Sequence, residues 1–573
     1  MINIEVNRKT ISAKKGQTIL AALNNSGIKV PTLCSLAELS PTGACRMCVV
    51  EVEGIDKLVP ACSFPVKEWM KIKTHSPRVL QARQMNVELL LSSHPDDCLY
   101  CERNGNCELQ KLAEDLNVRN RKISGNKSEF KIDNSSHGIV RDQAKCILCG
   151  RCVRICEEIV GTSSIDFETR GDRLRISTAM NEPLSFSSCI DCGMCVVSCP
   201  TGALIDKTEY QELDIYLDDS DKKIAVQYTP DVAVSIAEEF GFKAGTDLKG
   251  IINNALRKIG FDFIFETAYA ADAYILEAAQ EYKKRLEQND KLPLILSRCP
   301  AWVNYVEEFR PDLISHLLPV RSPHQIMGKL INTWFAESNN IPHNRLFTVL
   351  VTNCTAAKHE ARRPDYTTDK LPDIDFVLST RELARLIRLH GIDMHQLEPV
   401  PSDGPFFAQS SAGKLFAVAG GELEATLRTV YKEITKKELS DLRINKLRGG
   451  KEVKEVSLKG PKKEITAASV SGLKNAIRLL NDVCNGKCQY DLMEIMVCPD
   501  GCVNGGGQPI SSCPDCLKAR SKSIYDMDKS DAIRVAHKNA AVQKMYEAYT
   551  NEPGSAKSRE KFLVRFEERK VLK

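Results

Sequence analysis

The sequence predicts a multidomain α+β protein, in which cysteine-rich segments are followed by one large α/β domain. Two observations lead to this fold class. The chain has 23 cysteines among 573 residues, and they fall in compact groups on either side of a cysteine-free stretch from about residue 200 to 298. From about residue 221, short apolar stretches alternate with amphipathic ones, as strands and helices do around a parallel sheet. The length allows about four domains of ordinary size.

Composition excludes several classes of protein. Hydrophobic residues make up 43% of the chain and charged residues 27%, which is ordinary for a folded globular protein. The formal net charge of +4 is too small for the basic field by which proteins bind nucleic acids or membrane surfaces. No apolar run reaches membrane-spanning length, and the N-terminus lacks the apolar core of a signal peptide. We therefore expect a cytoplasmic protein whose thiols are metal ligands more often than disulfides.

The first cysteine group predicts a binuclear iron–sulfur cluster. Residues 1–20 alternate as in a hairpin, and VVEVEG after the third cysteine predicts a strand. The spacing C-x10-C-x2-C-x13-C contains one short pair whereas zinc prefers two, so [2Fe–2S] is favoured over a four-cysteine zinc site. Residues 1–78 resemble a plant-type ferredoxin domain with a widened loop, which implies a β-grasp fold. The expected ligands are Cys34, Cys45, Cys48 and Cys62.

The second group combines one histidine with three cysteines in the pattern H-x3-C-x2-C-x5-C. Residues 79–118 resemble the [4Fe–4S] segment with one His and three Cys ligands that occurs in complex I and in large iron-only hydrogenases. An imidazole ligand removes one negative charge, which should raise the cluster potential relative to an all-thiolate site. A zinc site is the alternative. The expected ligands are His94, Cys98, Cys101 and Cys107.

The third group lies within residues 138–215 and is the most specific. Two runs, CILCGRCVRIC and CIDCGMCVVSCP, each have the spacing C-x2-C-x2-C-x3-C of a two-cluster ferredoxin. In that arrangement the fourth cysteine of each run ligates the other cluster. One [4Fe–4S] cluster is therefore expected on Cys146, Cys149, Cys152 and Cys199, and the other on Cys189, Cys192, Cys195 and Cys156.

Residues 221–573 are predicted to form the α/β domain. KIAVQYTPDVAVSIAEEFG predicts a buried strand that turns into a helix, and LPLILS, LFTVLVTN and DLMEIMVC predict further short strands. A loop rich in Lys and Gly is predicted around residues 449–460. The charged tail from about Ser555 is predicted to be a solvated helix.

Three motifs in this domain, SRCPAW, NCTAAKHE and EIMVCPDGCVNGGGQP, resemble the three signatures of the [FeFe]-hydrogenase catalytic domain. The resemblance implies a two-lobed α/β fold. It also implies a fourth [4Fe–4S] cluster with one thiolate, Cys502 by position, bridging to a diiron subsite. Gly505, Gly506 and Gly507 would let the backbone pass close to a cofactor. The implied cluster ligands are Cys299, Cys354, Cys498 and Cys502.

The residues that carry protons in this family are replaced. The first motif usually has a proton-relaying cysteine where this chain has Arg298, and a guanidinium stays protonated at any working pH. The next carriers, a Glu and a Ser in the family, map to Ala278 and Leu318. We therefore expect no diiron subcluster here. Arg298 is instead expected to lie beside the cubane and to raise its potential by stabilising the more negative reduced state.

The second motif also departs from the family pattern. Asn353 replaces the usual Pro before the cysteine, and Ala357 replaces the Lys that donates to a cyanide of the diiron unit. Lys358 lies one residue further, about 100° around a helix, which makes it a poor substitute. Glu360 is retained.

Four further cysteines flank the third motif and are not standard ligands of the family. CNGKC and CPDC together could form a four-thiolate site for another [4Fe–4S] cluster, which we favour, or for structural zinc. Unpaired surface thiols are a third possibility. The residues are Cys484, Cys488, Cys513 and Cys516.

The chain has neither a G-x-G-x-x-G segment after a strand nor a Walker A loop, so it offers no recognisable flavin or nicotinamide site. The resemblance implies partners that supply them: a flavin-bearing NAD(H) subunit, a small thioredoxin-like [2Fe–2S] subunit, ferredoxin, and an NADP(H)-binding flavin module. We expect an iron–sulfur electron-transfer subunit of a flavin-based bifurcating, transhydrogenase-like complex. The alternatives are an active or sensory [FeFe]-hydrogenase with an altered proton path, and a structural relic.

Overall fold

The computed structural model describes residues 1–119, 122–127, 130–288, 290–460, 464–510, 513 and 515–570. The chain forms two compact units. The first consists of Met1–Glu158, Ser163–Ser187 and Ser198–Ile205, and the second of Ile159–Thr162, Ser188–Val197 and Asp206–Lys573. In the described residues no helix combines the length and the apolar character needed to cross a membrane.

The first unit begins with a β-grasp sheet, as expected. Ile4 and Val6 are buried and alternate with the exposed Asn3 and the half-buried Glu5, so Ile2–Val6 presents one apolar face. The helix Ile19–Asn25 covers that sheet and begins at Thr18, whose hydroxyl accepts a hydrogen bond from the Ala21 amide. The strands of the sheet are, in spatial order, Lys9–Ala13, Ile2–Val6, Lys71–Lys73, Val49–Val52 and Val59–Pro60.

The rest of the first unit is made of short elements that bracket the cysteine groups. Its longest helix, Pro77–Ser93, starts with proline behind the capping Ser76 and ends at His94. Other strands are Ile139–Arg141, Asp166–Glu168, Arg175–Ser177 and Leu204–Asp206, the last reaching into the second unit. The other helices are Glu108–Asp115, Arg151–Arg154 and Met194–Ser198, of which the last also crosses between units.

The second unit contains two four-stranded sheets, in agreement with the two-lobed α/β prediction. The first sheet is parallel throughout, and its strands are Phe263–Glu266, Lys223–Tyr228, Leu346–Val351 and Phe376–Leu378. The second sheet is mixed, and its strands are Leu294–Ile295, Leu492–Met496, Glu464–Ser471 and Val453–Lys459. A two-stranded sheet pairs Thr367–Thr368 with Leu371–Pro372. All four predicted strands of this domain are confirmed.

Helices pack around both sheets, and Ala268–Gln288 is buried along most of its length. Its core neighbours include the helices Pro323–Leu330 and Gly421–Thr435. The α-helices of the second unit are Tyr210–Leu217, Pro230–Ser235, Lys249–Ile259, Ala268–Gln288, Pro300–Phe309, Pro323–Leu330, Ala336–Ser338, Ala356–Glu360, Thr380–Leu389, Ser411–Lys414, Gly421–Thr435, Leu473–Cys484, Cys516–Ser530, Ala540–Met545 and Ala556–Phe562.

Two local predictions were wrong. The segment predicted as a loop around residues 449–460 contains the edge strand Val453–Lys459. Its lysines hid a period-two pattern in which Val456 is buried, and the buried Lys454 donates from Nζ to the Ala419 carbonyl at 2.7 Å. The tail helix Ala556–Phe562 is not solvated throughout, because Phe562 is 1% exposed and packs in the main core.

The fold brings the three motifs of the second unit to equivalent places. The cysteine of the first motif follows the strand Leu294–Ile295, that of the second follows Leu346–Val351, and those of the third follow Leu492–Met496. Each of these strands runs parallel to a sheet neighbour. Ligands bind at the carboxyl ends of parallel strands in open α/β sheets, so this arrangement collects the motif cysteines at strand ends.

Candidate metal centres

Four thiols of the second unit lie close enough to influence one another's protonation. Burial raises the pKa of Cys498, and negative charge on Cys299 and Cys502 raises it further. Burial likewise raises the pKa of Cys354, with added contributions from Cys299 and Cys502. Four thiols gathered in this way are costly as neighbouring thiolates, and metal coordination would relieve that cost. The donor set therefore fits the predicted [4Fe–4S] cluster.

Arg298 lies directly beside one of these thiols. Its side chain is 5% exposed, and Nη1 donates to Cys502 Sγ at 3.3 Å. Nε donates to Glu422 Oε2 at 3.2 Å, and Nη2 lies 3.6 Å from Met496 Sδ. Burial disfavours the charged guanidinium, but the negative charges of Cys502 and Glu422 outweigh that effect and raise the pKa of Arg298. The positive charge is therefore held against Cys502.

Lys358 forms an ion pair with another side chain and does not replace the lysine that the family usually has at position 357. Its Nζ lies 3.0 Å from Glu382 Oε2 and also donates to the Val377 carbonyl. The same Glu382 carboxylate caps the helix Thr380–Leu389. Both side chains are at least 98% buried, so this ion pair is part of the core packing.

Apolar side chains fill the positions of the missing Glu and Ser proton carriers. Ala278 and Leu318 are both 0% exposed and belong to the main core. The neighbouring Glu277 accepts hydrogen bonds from Tyr546 Oη at 2.8 Å and from the Gly554 amide at 3.1 Å. Burial raises the pKa of Glu277, and its partners belong to the C-terminal segment, so this carboxyl anchors that segment.

The three glycines of the third motif pack against protein backbone. A Cβ on Gly506 would lie 2.5 Å from the Cys192 carbonyl oxygen, and one on Gly505 would lie 2.5 Å from the Asn353 oxygen. The Gly507 amide donates to the same Asn353 oxygen at 2.7 Å. These contacts explain why glycine is needed here, and the predicted approach to a cofactor stays a prediction.

The N-terminal thiols form a tight group in the first unit. The thiol of Cys34 lies within hydrogen-bonding distance of Cys45 and Cys62. A hydrogen bond from Cys62 lowers the pKa of Cys48 to about 7 in spite of burial. Four thiols linked by these contacts, with the pKa of both Cys34 and Cys48 lowered, fit the donor set of a [2Fe–2S] cluster.

His94 is buried and keeps one ring nitrogen free of hydrogen bonds among the described residues, and its role as a cluster ligand stays a prediction. Its Nδ1 lies 3.0 Å from the Pro95 carbonyl oxygen and must donate to it, which leaves Nε2 with the lone pair. Nε2 is buried and has no hydrogen-bond partner among the described residues. Burial lowers the pKa of His94, which favours the neutral ring that binds metals. Burial raises the pKa of Cys98, and negative charge on Cys101 raises it further, so at least these two thiols are neighbours.

The two ferredoxin-type runs are arranged in part as predicted. A mostly apolar cavity in the first unit is lined by all four thiols of one predicted cluster, Cys146, Cys149, Cys152 and Cys199. In the second unit, burial and the charges of Asp191, Cys195 and Cys192 raise the pKa of Cys189. Cys156 belongs to the first unit, so its place beside these thiols stays a prediction.

The extra four-cysteine group differs from the prediction. Cys513 and Cys516 form a disulfide, and a disulfide offers no thiolate to a metal. Cys484 instead donates to Asp312 Oδ2 at 2.7 Å and accepts from Arg310 Nη2 at 2.8 Å. The structure therefore does not assemble this group as a four-thiolate centre, and the centre stays a prediction.

Several charged residues near the motif cysteines were missed by sequence reasoning. Glu422 lies 124 positions from Arg298 and belongs to no motif. Asp231 is 3% exposed, and Arg298 and His324 both lower its pKa against the larger raising effect of burial. In the sequence, these residues could have been noticed as carboxylates inside apolar segments. Carboxylates of purely structural ion pairs occur in the same setting, so this signal does not identify a functional residue.

Comparison with known proteins identifies the family behind these centres. Residues 1–77 match a 2Fe-2S iron-sulfur cluster binding domain, 83–122 the NADH-ubiquinone oxidoreductase-G iron-sulfur binding region, and 145–203 a 4Fe-4S dicluster domain. Residues 222–506 match the iron only hydrogenase large subunit, C-terminal domain, and 514–568 the iron hydrogenase small subunit. The fold and its centres thus define an iron–sulfur electron-transfer protein of hydrogenase type.

Full-length relatives support the same conclusion. The NADP-reducing hydrogenase subunit HndD of Solidesulfovibrio fructosivorans is 36% identical and is matched over 100% of both chains. Iron hydrogenase 1 of Clostridium pasteurianum is 33% identical over 98% of this chain and 99% of its own. A solved structure of the [FeFe]-hydrogenase HydA1 from Chlamydomonas reinhardtii has a TM-score of 0.56 at 29% identity, covering 63% of this chain and 98% of that one. The chain belongs to the iron-only hydrogenase family.

Proposed function

We propose that this chain is the iron–sulfur electron-transfer subunit of a cytoplasmic, flavin-based electron-bifurcating NAD(P)H/ferredoxin oxidoreductase, and that its hydrogenase fold carries no hydrogen chemistry. The observation that carries the proposal is the buried Arg298 guanidinium, whose Nη1 lies 3.3 Å from Cys502 Sγ. That is the thiolate which, by family position, would bridge to a diiron unit. The residues around it do not fit that unit, because a bulky cation lies against this thiol.

Other contacts support the same conclusion. The ammonium of Lys358 is bound to Glu382 at 3.0 Å, so the anchor lost at Ala357 is not replaced from the next position. Ala278 and Leu318 carry no exchangeable side-chain proton and are packed in the core. A site that can neither anchor the diiron unit nor deliver protons to it is suited to electron transfer only.

The remaining ligand sets fit iron–sulfur clusters, which would supply one-electron transfer when bound. The chain's own residues set the conditions for that chemistry. Arg298 holds a positive charge next to Cys502, which favours the more negative reduced state and raises the potential. His94 contributes a neutral ligand, which acts in the same direction.

The partners follow from what the chain lacks and from its relatives. The relative from Solidesulfovibrio fructosivorans is named as a subunit of an NADP-reducing hydrogenase, which supports NADP(H) as the acceptor that replaces protons here. We propose a flavin-bearing NAD(H) subunit, a small thioredoxin-like [2Fe–2S] subunit, an NADP(H)-binding flavin module and ferredoxin as the partners. An active or sensory hydrogenase is the competing function, since four motif cysteines and Glu360 are retained.

The first prediction tests hydrogen chemistry directly. The full chain with its clusters is exposed to the diiron cofactor and its maturation proteins, and hydrogen evolution from a reduced low-potential dye is measured beside infrared spectra. We expect neither hydrogen nor bands of bound CO and cyanide, because Arg298 blocks the site. The matched variant combines Arg298→Cys, Ala278→Glu, Leu318→Ser and Ala357→Lys, and should gain the infrared bands. Hydrogenase-like rates in the unchanged chain would refute the proposal.

A further inference from the structure

The C-terminal end of the chain contacts the helices that follow two motif cysteines. Arg569 Nη2 donates to Asn304 Oδ1 at 2.7 Å, and Nη1 lies 2.6 Å from His359 Nε2. Its Nε lies 2.9 Å from Glu307 Oε2, and its amide donates to the Glu307 carbonyl at 2.8 Å. Asn304 and Glu307 lie on the helix that begins after Cys299. The guanidinium thus reaches three side chains at once.

His359 continues this set of contacts to a cluster-binding loop. Its Nδ1 lies 2.9 Å from Asp191 Oδ2, and Asp191 is 5% exposed. Because a guanidinium can only donate, His359 Nε2 must accept from Arg569, and Nδ1–H must donate to Asp191. Asp191 stands between Cys189 and Cys192 in the second ferredoxin-type run. Arg569 therefore fixes the tautomer that ties His359 to this loop.

The same loop is held by two further contacts within the second unit. Thr355 Oγ1 donates to the Asp191 carbonyl at 2.7 Å, and Asn304 Nδ2 donates to the Ile190 carbonyl at 3.4 Å. The loop then passes so close to the third motif that a Cβ on Gly506 would lie 2.7 Å from Gly193 Cα. Segments next to Cys192 and next to Cys354 and Cys502 are thus in direct contact.

We propose that Arg569 is a positioning residue, and that the C-terminal tail acts as a latch on the loop of Cys189 and Cys192. Through His359 and Asn304 it holds this loop against the helices that follow Cys299 and Cys354. The latch sets the gap across which one electron at a time passes between the two cysteine sets, with no bond or proton exchanged. This role rests on the proposed electron-transfer function.

The contacts of residue 569 suit an arginine better than a lysine. Its two terminal nitrogens bond to Asn304 and His359 while Nε lies in ion-pair contact with Glu307, whereas the compact ammonium of a lysine could reach one or two of these side chains. A lysine would also leave the His359 tautomer less strongly determined. The contacts are therefore specific to the guanidinium and go beyond its positive charge.

The second prediction is that Arg569→Gln loosens the loop in the full-length, cluster-loaded protein. Amide hydrogen exchange should accelerate about fivefold or more for residues 189–195 and 355–360, because the tie through His359 is lost. The magnetic interaction between the two reduced clusters, seen in EPR spectra, should weaken at the same time. Arg569→Lys should give an intermediate result.

The control is Arg565→Gln, which removes the same charge from an exposed position of the same tail. It should leave exchange and EPR spectra unchanged. A fall in thermal stability of Arg569→Gln with unchanged exchange and EPR coupling would overturn the latch. These readouts do not need partner subunits, so the latch can fail while the electron-transfer function stands. Conversely, the expected loosening in a protein that passes no electrons to its partners would leave the latch intact and reject the proposed function.

Discussion

Two of the arginines buried in the second unit, Arg428 and Arg298, have partners of different kinds. Arg428 is 0% exposed and is surrounded by oxygen: Glu424 at 2.8 Å, both oxygens of Asp528 at 2.9 and 3.0 Å, and two backbone carbonyls. Arg298 has one carboxylate at 3.2 Å, and its other contacts are the sulfurs of Cys502 and Met496 at 3.3 and 3.6 Å.

The difference between their partners indicates that one arginine has a structural role and the other a functional one. The charge of Arg428 is matched by two carboxylates, which is what a stable buried ion network requires. Arg298 has soft, longer contacts and a single carboxylate, so part of its charge is directed at the thiol group. We infer that Arg428 holds helices together, whereas Arg298 sets the electrostatics of a metal centre. Each of the following predictions separates these two roles.

The largest expected effect comes from the Arg428 network. Asp528→Asn should lower the free energy of unfolding by about 3 to 5 kcal/mol, because the buried Arg428 guanidinium loses one of its two carboxylates. Denaturant titration measures this loss. Asp526→Asn on the same helix removes an exposed carboxylate paired with Lys522 and should change stability by less than about 0.5 kcal/mol. Equal effects of the two substitutions would contradict the structural role.

The pH dependence of stability in the same variant shows whether the ionised form of Asp528 stabilises the fold. Burial alone would raise the pKa of Asp528, but hydrogen bonds and charge from Arg428 and Arg448 outweigh it and hold the pKa well below its ordinary value. A depressed pKa adds stability above about pH 4, and this stability is lost as the pH falls further. The difference between the unchanged chain and Asp528→Asn should therefore shrink on acidification.

A second substitution acts beside the metal centre without changing charge. Gly506→Ala would place a Cβ 2.5 Å from the Cys192 carbonyl oxygen. The backbone at Cys192 and Gly193 and the backbone at Gly506 would have to move apart. We expect a loss of about 1 to 3 kcal/mol in the free energy of unfolding and altered EPR spectra at an almost unchanged cluster potential. Gly450→Ala is the control, because its nearest neighbour is a side-chain oxygen of Asp500 at 3.5 Å. A large potential shift in Gly506→Ala would show that packing alone tunes the centre.

Sequence patterns predicted well where the signal was local. The hairpin at Ile2–Val6 and the strands at Lys223–Tyr228 and Leu346–Val351 follow from periodicity. The four motif thiols were expected from the resemblance to hydrogenases, and their place after the strands became visible only in the structure. The edge strand Val453–Lys459 was missed because its lysines resembled a solvated loop, although one of them is buried against a carbonyl.

Long-range partners could not be predicted. The Arg298 substitution is visible in the sequence, but the carboxylate that makes its burial tolerable, Glu422, is 124 residues away. The contact of His359 with Asp191 spans 168 residues, and that with Arg569 spans 210. Such pairs are fixed by tertiary packing, for which a single sequence has no periodic or spacing signal.

The smallest change in free energy is expected for substitution of Arg298. It tests most directly whether Arg298 and Arg428 have different roles. Arg298→Met keeps the unbranched, apolar stem of the side chain and removes the guanidinium with its charge. It should lower the midpoint potential of the nearby cluster on the order of 50 mV, close to a tenfold change in a one-electron equilibrium. Glu422→Gln removes the opposing charge and should shift the potential upward. Potentiometric titration followed by EPR measures both. The double variant removes the ion pair and leaves net charge unchanged, so any residual downward shift reports the closer approach of the guanidinium to Cys502. A potential that stays constant in all three variants would place Arg298 with Arg428, as a structural residue.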